Sequence, residues 1–137
     1  MGQHLSLLSM AATYSYGKKE KLKSRKRIDQ LFTGGRSFSV FPLKVFYHFS
    51  DENVAGALQA GVGVSVRNFR KAVDRNRIKR LLREAYRLNK PPLFATISEK
   101  KKNAAVFFLY LGKELPELPL LNDKMRAALE RLGEECK

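Results

Sequence analysis

The stretch from Lys71 to Leu88 constrains this chain more than any other part of it. Ile78, Leu81, Leu82, Ala85 and Tyr86 recur at the i, i+3, i+4, i+7, i+8 spacing of one helix face. At about 100° per residue, Lys79, Arg83, Asn76, Arg87 and Arg80 fall on a contiguous arc of roughly 100° on the other side, with Arg77 farther round near Glu84. The apolar stripe needs a sheet or other helices beneath it. The polar face is the unusual half. From Arg70 to Arg87 there are eight basic residues, and only Asp74 and Glu84 to balance them. A merely solvated face would carry acidic partners at i, i+4. A ladder of guanidinium groups instead matches phosphate oxygens, and Asn76 can donate and accept at a sugar hydroxyl or a base edge. Such a face reads a nucleic-acid backbone by shape and charge.

The distribution of charge supports that reading. Lys18–Arg36 carries net +6 and Arg67–Lys90 net +8, which together make up the whole net charge of +14; the remainder holds nine basic and nine acidic residues. A solubility device would mix signs throughout. Two basic segments in a neutral background point to one polyanionic partner, nucleic acid.

At 137 residues the chain has room for one core. Residues 1–17 read as a flexible tail, and 18–137 as a single nucleic-acid-binding domain. Ser24 is placed to cap a helix running to about Phe32, with Ile28, Leu31 and Phe32 on one face and Gly34-Gly35 as its stop. Ser37–Phe41 alternates as a strand, and Pro42 interrupts. Leu43–Phe49 alternates again, with Leu43, Val45, Tyr47 and Phe49 on one face and Lys44, Phe46 and His48 on the other. Asp51–Ala60 reads as a polar loop and Gly61–Val66 as a third strand. The basic helix follows and ends at Pro91-Pro92, with a connection over 93–103. Ala104–Leu111 is continuously apolar, as expected of a strand buried on both faces. Leu115–Leu120 reads as a linker, and Asn122 as the cap of a last helix with Met125, Ala128, Leu129 and Leu132 inward. The order is αβββαβα, a mixed α+β domain.

Catalytic chemistry is not evident in the polypeptide. Metal-dependent hydrolysis needs clustered carboxylates or histidines. The two strongly apolar strands contain no Asp, Glu or His, and His4 and His48 are far apart. Asp51-Glu52 is ordinary turn chemistry. Cys136, the single cysteine, has no evident base beside it and lies at the chain's fraying end. One cysteine excludes an internal disulfide and fits a reducing, cytoplasmic setting. No apolar run is long enough to span a membrane.

The block Lys71-Ala72-Val73-Asp74-Arg75-Asn76-Arg77-Ile78-Lys79-Arg80-Leu81-Leu82-Arg83-Glu84-Ala85-Tyr86 closely resembles the signature helix of the protein subunit of bacterial ribonuclease P. The family pattern centres on Arg-Asn-Arg, an aliphatic residue and Lys-Arg, here Arg75 to Arg80. The preceding Gly61-Val62-Gly63-Val64-Ser65-Val66 resembles the family strand that leads into it, and Lys21-Leu22-Lys23 through Gly35-Arg36 its first helix and exit. The resemblance covers about residues 20–132. It implies an αβββαβα sandwich shared with a ribosomal-protein domain, with a left-handed βαβ crossover through the signature helix. It implies that an RNA subunit, using Mg²⁺ held mainly by RNA and substrate, hydrolyses the phosphodiester at the 5′ end of mature tRNA. The polypeptide's part is then to bind that catalytic RNA and the single-stranded 5′ leader of precursor tRNA.

Residue by residue, the resemblance implies RNA contacts from Arg70, Lys71, Arg75, Asn76, Arg77, Lys79, Arg80, Arg83 and Arg87. It also implies a leader cleft between the first helix and the sheet, whose positions map to Ile28, Phe32 and Tyr47. Ile28 departs from the aromatic often found at its position. No catalytic or metal-binding side chain, membrane or obligate protein partner is implied. Three rivals stand beside this reading. A ribosomal or RNA-assembly protein explains the charge but not the signature block. A DNA-binding protein lacks a helix-turn-helix pair before the basic helix. A freestanding nuclease would cleave in Mg²⁺ without any RNA subunit.

Overall fold

The computed structural model describes residues 25–50, 58–100 and 102–136. The expected tail at 1–17, the Ser24 cap and most of the 51–60 loop lie outside the described residues. The described elements are α1 (Arg25–Gly34), β1 (Arg36–Val40), β2 (Leu43–Ser50), β3 (Leu58–Val64), α2 (Ala72–Asn89), α3 (Pro91–Lys100), β4 (Asn103–Tyr110) and α4 (Leu118–Glu135). They form an α+β domain around one four-stranded mixed sheet, in the order β1-β2-β4-β3. β1 and β2 form a hairpin, β2 runs antiparallel to β4, and β3 lies parallel to β4. Parallel neighbours need a long crossover, which α2 and α3 supply.

Both faces of the sheet are covered, unequally. Leu43, Val45 and Tyr47 of β2, Leu58, Ala60 and Val64 of β3, and Ala104, Val106, Phe108 and Tyr110 of β4 all enter the main core. There they meet Ile78, Leu82, Ala85 and Tyr86 of α2, Leu93 and Ile97 of α3, and the α4 stripe Leu121, Met125, Ala128, Leu129 and Leu132. Among the described residues the opposite face carries only α1. Its small cluster is Leu31, Ala105 and Phe107, with Ile28, Phe46 and Leu109 packed against it. β4 is therefore buried on both sides, as its unbroken apolar run requires.

Four boundaries differ from expectation. The connection over 93–103 is mostly helix, because Pro91-Pro92 ends α2 and also opens α3. Proline is tolerated in a helix's first turn, where the missing N–H has no intrahelical acceptor. For the same reason α4 starts at Leu118, with Pro119 in its first turn, and not at Asn122. Asn122 lies inside the helix, and its Oδ1 accepts a hydrogen bond from Asn89 Nδ2 at 2.5 Å, tying α4 to the end of α2. β3 begins at Leu58 and ends before Val66, which is exposed. Cys136 is not at a frayed end: it is buried, and its N–H donates to Leu132 O at 3.0 Å.

Candidate nucleic-acid interface

The apolar stripe of α2 seats the helix so that its basic arc faces outward. Ile78, Leu82, Ala85 and Tyr86 are buried, whereas Asn76, Arg77, Arg80 and Arg83 are exposed and Lys79 is half-buried. Arg70 and Lys71, just ahead of the helix, are exposed as well. Among the described residues, Arg77, Lys79, Arg80 and Arg83 have no acidic partner, so their charge is available to a polyanion.

Two members of the expected set are already engaged. Arg75 Nη1 donates to the carbonyls of Phe69 at 2.9 Å and Arg70 at 2.7 Å. It thereby fixes the short link ahead of α2. Arg87 pairs with Glu84, its Nη2 2.5 Å from Oε1 and its Nε 3.2 Å from Oε2. That hydrogen bond holds the Glu84 carboxyl below the usual glutamate range, against the upward push of burial.

The link Arg67-Asn68-Phe69-Arg70-Lys71, shorter by a residue or two than the common family spacing, also makes long-range contacts. Asn68 Nδ2 donates to Leu111 O at 3.1 Å and Gly112 O at 3.4 Å, and the Phe69 ring lies 6.0 Å from Tyr110. The start of the basic helix is thus clamped to the end of β4. An isolated asparagine in a basic stretch gives no signal of such a long-range clamp.

The expected cleft residues do not come together as a set of three. Ile28 and Phe32 lie on α1, over the sheet face that carries Phe46 and Phe107. Tyr47 is on the opposite face. It is 5% exposed, and its ring packs 5.7 Å from Phe38 and 5.5 Å from Phe49. Neighbouring strand residues point to opposite faces, so a shift of one residue crosses the sheet. The aromatic that faces α1 is Phe46, half-buried, with Lys44 Nζ 5.2 Å from its ring centre.

Phe32 meets Phe46 and Phe107 edge to face and is 44% exposed. Alternation puts Gly61 and Gly63 of β3 on the same sheet face. A Cβ on Gly63 would lie 2.7 Å from Phe107 Cζ, so the ring occupies the space a side chain would need. β3 borders both surfaces, with its apolar residues in the core on one side and its glycines on the cleft on the other.

Among the described residues no group of three or more His, Cys, Asp or Glu is placed to hold a metal ion, and no helix is long and apolar enough to cross a membrane. The donor groups at the interface are cationic, a poor match for Mg²⁺.

The family model for ribonuclease P matches residues 16–133. The chain belongs to the ribonuclease P protein family. It is 38% identical over 126 residues to a ribonuclease P protein component of Porphyromonas gingivalis, covering 92% of each chain. It is 32% identical over 139 residues to one from Chlorobium phaeobacteroides, covering 94% of this chain and 95% of the other. The solved RNase P protein of Staphylococcus aureus superposes with a TM-score of 0.66 at 17% identity, over 84% of this chain and 96% of that one, and so shares the fold. Membership makes this chain a protein subunit of an endoribonuclease of tRNA processing, working as a ribonucleoprotein with an RNA partner. The ribosomal or assembly-protein reading gives way to it.

Proposed function

We propose that this ribonuclease P subunit divides its work between the two faces of its sheet. The outward arc of α2, led by Asn76, Arg77, Lys79, Arg80 and Arg83, docks on the catalytic RNA. The cleft beside α1, built on Phe32, Phe46, Phe107 and the glycine floor of β3, holds the single-stranded 5′ leader of precursor tRNA. The observation that carries this reading is the pairing of an uncompensated cationic helix face with a separate aromatic cleft. The first suits a phosphate backbone, the second unstacked bases. Phe46 takes the place that the sequence assigned to Tyr47.

The RNA subunit carries the chemistry, and the Mg²⁺ ions that serve it are held by RNA and substrate. The polypeptide supplies positive charge where two polyanions must meet, and a grip that distinguishes precursor from product. The expected setting is the cytoplasm, where precursor tRNA is made. Reconstitution with a bacterial ribonuclease P RNA tests the reading. At low Mg²⁺, adding the protein should restore leader removal that the RNA alone performs poorly. Failure to stimulate, or cleavage by the protein without RNA, overturns it.

A further inference from the structure

β1 is shorter than its partner, and this leaves a notch at one corner of the sheet. β1 starts at Arg36, opposite Tyr47, whereas β2 continues through His48 and Phe49 to Ser50 with, among the described residues, only β4 beside it. α1 ends above the notch. A Cβ on Gly35 would lie 3.1 Å from Tyr47 O, so the helix terminus is pressed onto β2. The last turn of α4, at Glu135, closes the notch from the other face, and Lys102 reaches it from the segment ahead of β4. The cavity, open to solvent, is about 400 Å³, with Arg36, Tyr47, His48, Lys102 and Glu135 in its wall. A second cavity of about 210 Å³ lies under α1, between Leu31 and Ala105, and shares Gly34 and His48 with the first. Leu31 and Ala105 belong to the cluster that Phe46 packs against. The two cavities thus adjoin at the end of α1, beside the sheet face that carries the aromatic cleft.

The chemistry of the notch suits a phosphodiester. Two cations, Arg36 and Lys102, line it against one carboxylate. Glu135 faces the Tyr47 phenol, whose pKa is raised by burial and then by that carboxylate, with Arg36 acting in the opposite sense. Lys102 is steadied by a 3.5 Å hydrogen bond from its Nζ to Cys136 O. A guanidinium fork and an ammonium on one cavity are a common way to hold a phosphate. Phe49, half-buried beside the Tyr47 ring, offers a flat surface to the attached base.

We propose that the notch holds a leader nucleotide beyond those at Phe32 and Phe46, with its phosphodiester between Arg36 and Lys102. This rests on the leader reading of the cleft, and it makes affinity depend on leader length. The test uses assembled holoenzyme and precursor tRNAs whose leaders grow one nucleotide at a time, at fixed salt. With the natural sequence, affinity should rise again once the leader extends past the cleft. Lys102→Ala should remove that second rise, about three- to fivefold, the scale of one solvent-accessible ion pair. It should leave short-leader precursors and mature tRNA unchanged. Arg36→Lys, which keeps the charge but not the fork, should lose part of the rise. Arg36→Ala also removes a neighbour of Tyr47, so its melting temperature is measured alongside, and Lys102→Ala decides if it unfolds. Phe46→Ala separates the two proposals. If it leaves the preference for precursor over mature tRNA intact, the leader cleft itself is wrong. If it abolishes the preference but Lys102→Ala weakens every substrate equally or none, or if no second rise exists, the notch assignment alone falls.

Discussion

Phe32 of α1 and Phe46 of β2 meet edge to face with ring centres 4.7 Å apart, and the helix residue remains 44% exposed. One ring is a floor and the other a wall open to solvent, the arrangement a splayed base needs for stacking. Phe46→Ala should weaken precursor tRNA binding by the holoenzyme by ~1–3 kcal/mol and hardly alter mature tRNA binding. Tyr47→Ala should behave differently, because Tyr47 is a core residue: a loss of folding stability of ~3–5 kcal/mol should dominate. Titration of both variants with both tRNAs, beside thermal melts, checks the pair. Leader discrimination lost in Tyr47→Ala with full stability, and kept in Phe46→Ala, would restore the assignment made from sequence.

That reversal shows what a sequence of this kind makes legible. The alternation in β2 placed Phe46 and Tyr47 on opposite faces correctly. It could not say which face α1 covers, since that depends on long-range packing of Ile28 and Leu31 against Ala105 and Phe107. The α2 helix was legible in full because one segment encodes both the buried stripe and the outward charge. The prolines misled for a definable reason. Pro91-Pro92 and Pro119 were read only as breaks, although proline is also favoured at helix starts. Lys102 is legible only as one of three successive lysines, Lys100 to Lys102, in the 93–103 connection. It sits in the charge-neutral remainder of the chain, and only the corner left by the short β1 brings it beside Arg36.

The two faces of α2 should separate cleanly under mutation. Arg80 is exposed and unpaired among the described residues, whereas Leu82 is fully buried. Arg80→Ala should remove about one phosphate contact and lower the log–log salt slope of RNA binding by roughly 0.7–0.9 units, without loss of stability. Leu82→Ala should cost ~2–5 kcal/mol of stability. Salt titrations and denaturant melts on both proteins test this. An unchanged slope for Arg80→Ala would make its face merely solvated.

Gly63 tests the cleft floor without removing an aromatic ring. A methyl group there meets Phe107 Cζ at 2.7 Å, and Phe107 in turn holds Phe32 at 5.3 Å. Gly63→Ala should therefore push the Phe107 ring aside, costing ~1–3 kcal/mol of stability through overpacking. It should also weaken leader binding more than RNA-subunit binding. A combined Gly63→Ala, Phe107→Leu variant, which makes room for the methyl, should regain stability but not leader affinity. Recovery of both would show that the aromatic floor is not used.

The last prediction concerns a restraint built into the basic face. Arg87 lies on the same arc as Arg80 and Arg83, yet its guanidinium is held by Glu84 through two hydrogen bonds. The arginine keeps the Glu84 carboxyl below the ordinary glutamate range, so the pair stays ionised at neutral pH and loosens only as pH falls through that lowered value. Both side chains are well exposed, so the pair contributes little to folding. Its larger effect is on the interface, where it takes one cation out of use and adds a negative charge beside the RNA. Glu84→Gln should remove that charge and free Arg87 while keeping a side chain of the same shape. RNA-subunit affinity should rise, and the salt slope should steepen by up to about 0.7–0.9 units, one further phosphate contact. Arg87→Ala alone should change the slope little, unlike Arg80→Ala. If Glu84→Gln leaves both affinity and slope unchanged, Arg87 lies outside the RNA footprint. If Arg87→Ala lowers the slope as much as Arg80→Ala does, Arg87 already leaves Glu84 when the RNA binds.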